Sequence, residues 1–308
     1  MATYSFRIKL CSCGALLCFN VAATLFTEAS KSADGGYPYN SFTIPCTVEA
    51  MKLCVSIFLL TLSLLRRENV VMSFSVTKFL PYSLPALCYF ISNNCMFYII
   101  RELGPTTFQI TNNLKVLATG VLMRLIFGKR LTWLQWKALV LLVIGSAVTQ
   151  LQSPNDSDGL GRNTGYIFVI INSIAAGAGG VASEKLLKGG GDDTLDNIHW
   201  QNIQLYLFGF AFGLASSVSS APSALENGLF FGFNVWACAT VSALTVAGLL
   251  VSFILKYLDN FAKCFVAALS IVFVAILHSL MQGAGTGLHL IIGIVLTCMA
   301  LEQYNLPQ

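Results

Sequence analysis

Apolar residues in this chain fall into ten long runs separated by short polar breaks. The runs lie near 9–27, 43–65, 79–100, 106–127, 134–151, 164–185, 200–219, 232–255, 260–281 and 285–302. Each approaches the roughly 20 residues an α-helix needs to cross a hydrocarbon core. The breaks carry turn chemistry: Ala33-Asp34-Gly35-Gly36, Gly104-Pro105, Gly128-Lys129-Arg130, Ser153-Pro154-Asn155-Asp156 and Lys188-Gly189-Gly190-Gly191. Several are very short, so consecutive helices are expected to pack as antiparallel hairpins. The first run follows Arg7 and Lys9, as a signal peptide would. From Leu10 to about Phe26 it is long for one, so it is read as the first span. The pattern predicts an all-α membrane protein with ten transmembrane helices.

Composition agrees. Of 308 residues, 56% are hydrophobic and 10% charged, against about 25% charged in a soluble domain. Mean hydropathy is +0.72. Such a chain has too little polar surface to cover a water-soluble globule of this size.

The net charge of +4 matters less than where the charges fall. With a cytosolic N-terminus, the cytosolic segments hold Arg7, Lys9, Arg66, Arg67, Lys78, Arg124, Lys129, Arg130, Lys137, Lys185, Lys188 and Lys256. The opposite side holds Lys31, Arg101 and Arg162. The bias puts both termini in the cytosol. The sequon Asn155-Asp156-Ser157 then faces the other side, as glycosylation requires.

Ten spans divide into two halves of five, 1–152 and 153–308. An odd number per half inverts the second half relative to the first. Inverted repeats place a substrate site near the midplane. In the expected fourth helix, Phe108 is followed by Lys115. In the ninth, Asn260-Phe261 is followed by Lys263. The two lysines occupy equivalent places in the halves.

Lys52, Lys115 and Lys263 remain inside apolar runs, together with Glu49. A charge at the bilayer centre costs about 2.5–3.5 kcal/mol on insertion scales, and such residues are functional candidates by default. Glu49 and Lys52 sit three apart and share a helix face. They neutralise each other, line a cavity, or do both. Lys115 shares a face with Phe108, Asn112 and Thr119, flanked by Gln109 and Asn113. No acid lies on that helix. A cationic, polar stripe headed by an aromatic suits a ligand with a phosphate and a flat ring. The competing account of Lys115 is a side chain that snorkels to a helix end; for Lys263 it is a place at the interface. Asn93, Asn94, Asn202, Gln204 and Ser252 add polar groups that line a site or act as glue between helices. His278 is either a proton relay or a satisfied core histidine.

Other chemistries find no support. The ten cysteines are scattered, and the Cys11–Cys13 spacing is not that of a metal site. There is no GxxxxGK[ST] loop, no HExxH, no GxSxG and no paired-carboxylate arrangement. An ATP-driven pump is excluded, and no catalytic residue, metal or cofactor is expected. Nor is a nucleic-acid partner expected.

The stretch from Phe108 to Trp136, FQITNNLKVLATGVLMRLIFGKRLTWLQW, resembles the best-known segment of the nucleotide-sugar transporters. The likeness is to the branch containing the CMP-sialic acid, UDP-galactose and UDP-N-acetylglucosamine transporters. DGGYPYNSFTIPCTVEAMKL (34–53), SNN (92–94), SEKLLKG (183–189), WQNIQLYLFG (200–209) and LKYLDNFAKCF (255–265) extend it along the chain in order. WQNIQLY is closest to plant-like members. The resemblance implies an inverted five-plus-five arrangement in a Golgi-type membrane, or that of the ER. It also implies exchange of a cytosolic nucleotide-sugar for a lumenal nucleoside monophosphate, with a pyrimidine base favoured. Family cavity positions fall on Glu49, Lys52, Asn93, Asn94, Gln109, Lys115, Asn202, Ser252 and Lys263. Phe108 stands where the family commonly has tyrosine. Ala182 and Ser183 stand where animal members often have an aromatic pair. A homodimer is compatible with the sequence. Two rival functions stay open: a proton-coupled exporter of organic anions with the same fold, and a non-transporting membrane scaffold.

Overall fold

A computed structural model describes residues 6–32, 37–40, 43–68, 70–149, 163–189, 196–220, 228, 230–281 and 287–305. Among these the chain is helical, without strands. The ten main helices among the described residues are α1 (Phe6–Ala29), α2 (Thr43–Leu65), α3 (Ser83–Asn112), α4 (Lys115–Phe127), α5 (Trp133–Thr149), α6 (Asn163–Leu187), α7 (Ile198–Ser220), α8 (Val235–Tyr257), α9 (Asn260–Met281) and α10 (Leu288–Asn305). A short helical turn, Val76–Phe79, and a 3₁₀ turn, Leu80–Tyr82, lead into α3. Five helices, α1, α2, α6, α8 and α9, are long and apolar enough to cross a membrane; α5 and α10 are apolar but shorter. Outward faces carry Phe58, Ile167, Ile170, Val295 and Met299, all exposed. In water such a surface would aggregate; against lipid tails it carries no penalty.

One expected boundary is wrong. The break at Gly104-Pro105 is absent, and α3 runs 30 residues to Asn112. Proline and glycine are tolerated inside membrane helices, where neighbouring groups re-satisfy the freed backbone. The chain instead breaks at Asn113 and Leu114, through tight bonds from Val116 N to Asn113 O and from Leu117 N to Leu114 O, both 3.0 Å. Lys115 therefore opens α4 rather than lying well inside a helix. The turn signal after it holds: α4 ends at Phe127 on Gly128, whose φ of 65° suits a residue without Cβ.

The chain forms two compact units. The first contains Met1–Phe90 and Ala182–Asp259, the second Ile91–Val181 and Asn260–Gln308. Each draws helices from both halves of the sequence.

In the first unit α1 packs on α8, and α2 on α7 and α8. Gly209 and Gly213, four apart on α7, let α2 approach closely. A Cβ at Gly213 would lie 3.2 Å from Cys46 Cα. At one end Asn234 caps α8 by accepting from Ala237 N, and donates to Ser30 O at 2.9 Å. At the other, Asp196 Oδ1 accepts from Ser73 N at 2.9 Å and from Ser73 Oγ at 2.8 Å, while Trp200 Nε1 donates to Ser73 O.

In the second unit α5 packs on α10, α9 and α4. The core is built from Val116, Met123, Leu139, Leu142, Val181, Phe261 and Phe265. Gly145 brings α10 close: a Cβ there would lie 2.8 Å from Thr297 Oγ1.

Candidate binding residues

Glu49 and Lys52 lie one turn apart on α2, in the first unit. The Lys52 ammonium donates to Glu49 Oε1 at 2.5 Å. Removing both groups from water costs several kcal/mol per ion, so burial of this lysine depends on its partners. A second partner comes from α7. The Tyr206 ring centroid is 4.3 Å from Lys52 Nζ, a cation–π contact. The Tyr206 hydroxyl shares a 2.6 Å hydrogen bond with Ser252 Oγ on α8. Two glycines make room for the cluster. A Cβ at Gly209 would lie 2.8 Å from Glu49 Oε2, and one at Gly248 would lie 2.6 Å from Lys52 Cδ. Asn202, one turn before Tyr206, is buried, and its Oδ1 has no hydrogen-bond partner among the described residues. A buried carbonyl oxygen without a donor is costly and marks a place where a ligand or water donor would be welcome.

Sequence reading paired Glu49 with Lys52 and selected Asn202 and Ser252. It missed Tyr206, which looks like one more aromatic of an apolar helix. The signal lay in the spacing Asn202, Tyr206, Gly209, Gly213, a single face of polar and small residues. It also missed a second pair: Lys188 donates to Glu184 Oε1 at 2.6 Å and to Leu258 O at 2.5 Å, at the ends of α6 and α8.

The second unit holds the other lysines. Lys115 is half-buried at the start of α4. Its ammonium lies 3.4 Å from Asn112 Oδ1 and has no carboxylate partner among the described residues. Lys263 lies near the start of α9, in the same unit. Gly180 of α6 leaves the space that Lys263 and the buried Asn260 occupy. A Cβ there would lie 2.8 Å from Lys263 Nζ and 2.6 Å from Asn260 Nδ2. Gly177 brings the same helix against Thr119 N of α4.

The remaining candidates are dispersed. Phe108 packs on an apolar cluster of Cys95, Ile99, Leu103 and Val169. Asn94 is half-buried and Asn93 exposed on α3. The side chains of Gln109 and His278, and the sequon at Asn155, lie outside the described residues. No group of three metal-ligating side chains occurs among the described residues.

The profile described as nucleotide-sugar transporter matches residues 4–305. Among curated proteins, CMP-sialic acid transporter 1 of Oryza sativa subsp. japonica is 31% identical over 293 residues, 92% of this chain and 89% of that protein. CMP-sialic acid transporter 1 of Arabidopsis thaliana is 30% identical, covering 92% and 85%. The UDP-galactose translocator of Mus musculus is 33% identical over 234 residues, covering 74% and 59%. A solved crystal structure shares the fold at a TM-score of 0.69 and 13% identity, covering 98% of both chains.

Proposed function

The chain belongs to the nucleotide-sugar transporter family, and on that premise we propose that it exchanges a cytosolic pyrimidine nucleotide-sugar for a lumenal nucleoside monophosphate by alternating access. The substrate is of the CMP-sialic acid or UDP-galactose type, the classes carried by the relatives named above. The membrane is that of the Golgi, with both termini in the cytosol. Residues 1–152 and 153–308 are inverted repeats.

The observation that carries this is the neighbourhood of Lys115: a half-buried ammonium with an amide oxygen at 3.4 Å and no carboxylate partner among the described residues. A phosphate placed there gains charge-assisted hydrogen bonds, roughly twice as strong as neutral ones. Lys52, Tyr206 and Ser252, in the first unit, are separate candidates for polar contacts. Glu49, Asn93, Asn94, Gln109 and Asn202 are the further candidates for polar contacts.

Obligatory exchange follows from the same charge. Closing an empty carrier strips water from unneutralised lysine at a cost of several kcal/mol. An anionic passenger cancels that cost, so loaded carriers reorient readily and empty ones slowly. Proteoliposomes preloaded with CMP or UMP should take up labelled nucleotide-sugar several-fold faster than empty ones. Equal rates with and without preloading would rule out the exchange mechanism. Uptake driven by a pH gradient without acceleration by preloading would favour a proton-coupled exporter instead.

A further inference from the structure

The α4–α5 hairpin carries a feature that transport does not use. From residue 103 to residue 155 the chain contains no acidic side chain. Four cations stand at the closed end of the hairpin: Arg124 in the last turn of α4, Lys129 and Arg130 in the connection, and Lys137 one turn into α5. All four are exposed. Arg124, Arg130 and Lys137 form no ion pair among the described residues. Beside them runs a groove of ≈ 440 Å³, lined by Trp133, Trp136, Lys137, Val140, Leu141 and Ile144. These positions form one stripe along α5. At its head Trp133 is 75% exposed, with Lys137 Nζ 5.5 Å from the ring centroid. Trp136 is fixed from behind by α4, where a Cβ on Gly120 would lie 3.1 Å from its ring.

The arrangement has a charged end and an oily end. Helix faces in a membrane all meet lipid tails, so the apolar floor alone selects nothing. Selection comes from the unneutralised cations and from indole N–H groups, which favour the headgroup boundary. A lipid with an anionic headgroup satisfies both ends at once. Its phosphate and any further negative charge meet Arg124, Arg130 and Lys137, and an acyl chain lies over Val140, Leu141 and Ile144. We propose that this groove is a binding site for an anionic phospholipid, at the end of the hairpin that bears Gly128. The site is independent of the nucleotide chemistry, and its occupancy can be read without transport.

The test uses the full chain reconstituted in symmetric bilayers of phosphatidylcholine and phosphatidylinositol in equal amounts. Native mass spectrometry after mild extraction counts the lipids retained. The expected result is preferential retention of phosphatidylinositol by the wild-type protein. In the triple variant Arg124→Gln, Arg130→Gln, Lys137→Gln the preference should fall by about tenfold or more, since each surface cation attracts anionic lipid. A control variant, Arg66→Gln with Arg67→Gln, removes exposed cations elsewhere and should leave the preference intact. Equal retention of both lipids by the wild type, or the same loss in control and triple variants, overturns the proposal. So does displacement by millimolar inorganic phosphate, which would make the site a phosphate site. A lipid-free dimer as the species recovered would assign the face to a second copy and overturn it likewise. A second measurement needs no variant: brominated phosphatidylinositol should quench tryptophan fluorescence more strongly than brominated phosphatidylcholine, and equal quenching contradicts the site.

Discussion

The molecule buries lysine in two ways. In the first unit Lys52 has a carboxylate at 2.5 Å and a tyrosine ring over its ammonium. In the second, Lys115 has one amide oxygen at 3.4 Å and no carboxylate partner among the described residues. Both residues sit in apolar sequence, and a hydropathy profile treats them alike. Their surroundings differ. The first cation is neutralised by the protein and helps hold α2, α7 and α8 together. The second has no such partner among the described residues, and in the proposed function a substrate phosphate supplies one.

Substitutions can break this contrast. The largest effect on stability is expected for Lys52→Met. It strands Glu49 without its cation, a cost of about 3 kcal/mol, somewhat less because Glu49 keeps some contact with solvent. Adding Glu49→Gln should recover most of the loss. Thermal melting in detergent measures both, and a Lys52→Met protein as stable as wild type would show that the pair contributes nothing to the fold.

Lys115→Met should do the reverse. Loss of a charge-assisted phosphate contact is worth about 1.5–3 kcal/mol, so nucleotide affinity should fall roughly 10- to 100-fold. Melting of the ligand-free protein should hold or rise, because an unneutralised charge is gone. A drop in stability matching that of Lys52→Met would erase the distinction between the two sites.

Glycine substitutions sharpen the comparison at smaller cost. Gly248→Ala drives a methyl into the Lys52 stem, which the salt bridge and Tyr206 hold on both sides. The expected loss is about 1–2 kcal/mol of stability. Gly180→Ala meets the flexible ends of Lys263 and Asn260. It should shift those ends, weakening nucleotide binding several-fold with little change in melting. The smallest effect belongs to Tyr206→Phe, which keeps the ring over Lys52 and removes the bond to Ser252, about 1 kcal/mol. Loss of binding without loss of stability at Tyr206 would move that hydroxyl from structure to substrate.

Much of the fold could be read from hydropathy, because ten apolar runs admit few other forms in lipid. The helix ends at Gly128 and Gly189 followed from residues that take positive φ, and both do so in the structure, at 65° and 92°. Gly104-Pro105 misled for a physical reason. In water that pair would end a helix, whereas an apolar medium gives the backbone no better partner than itself. The candidate lysines were visible as charges in the wrong medium, and the i, i+3 spacing of Glu49 and Lys52 gave their pairing. The aromatic partner of Lys52 was harder to see: the spacing of Tyr206 with Gly209 and Gly213 marks a face of α7, but not that α2 packs there. The placement of Phe108 in an apolar cluster was hidden in the same way, since periodicity assigns a face and not what covers it.

In the proposed exchange Lys115 holds the substrate's phosphate. Affinity of the purified protein for UMP and for uridine, measured by calorimetry on wild type and on Lys115→Met, separates that interaction from all contacts to base and ribose. The expected result is a monophosphate preference of at least about tenfold in wild type that collapses towards one in the variant, with uridine binding unchanged. A preference that survives the loss of Lys115 would contradict it.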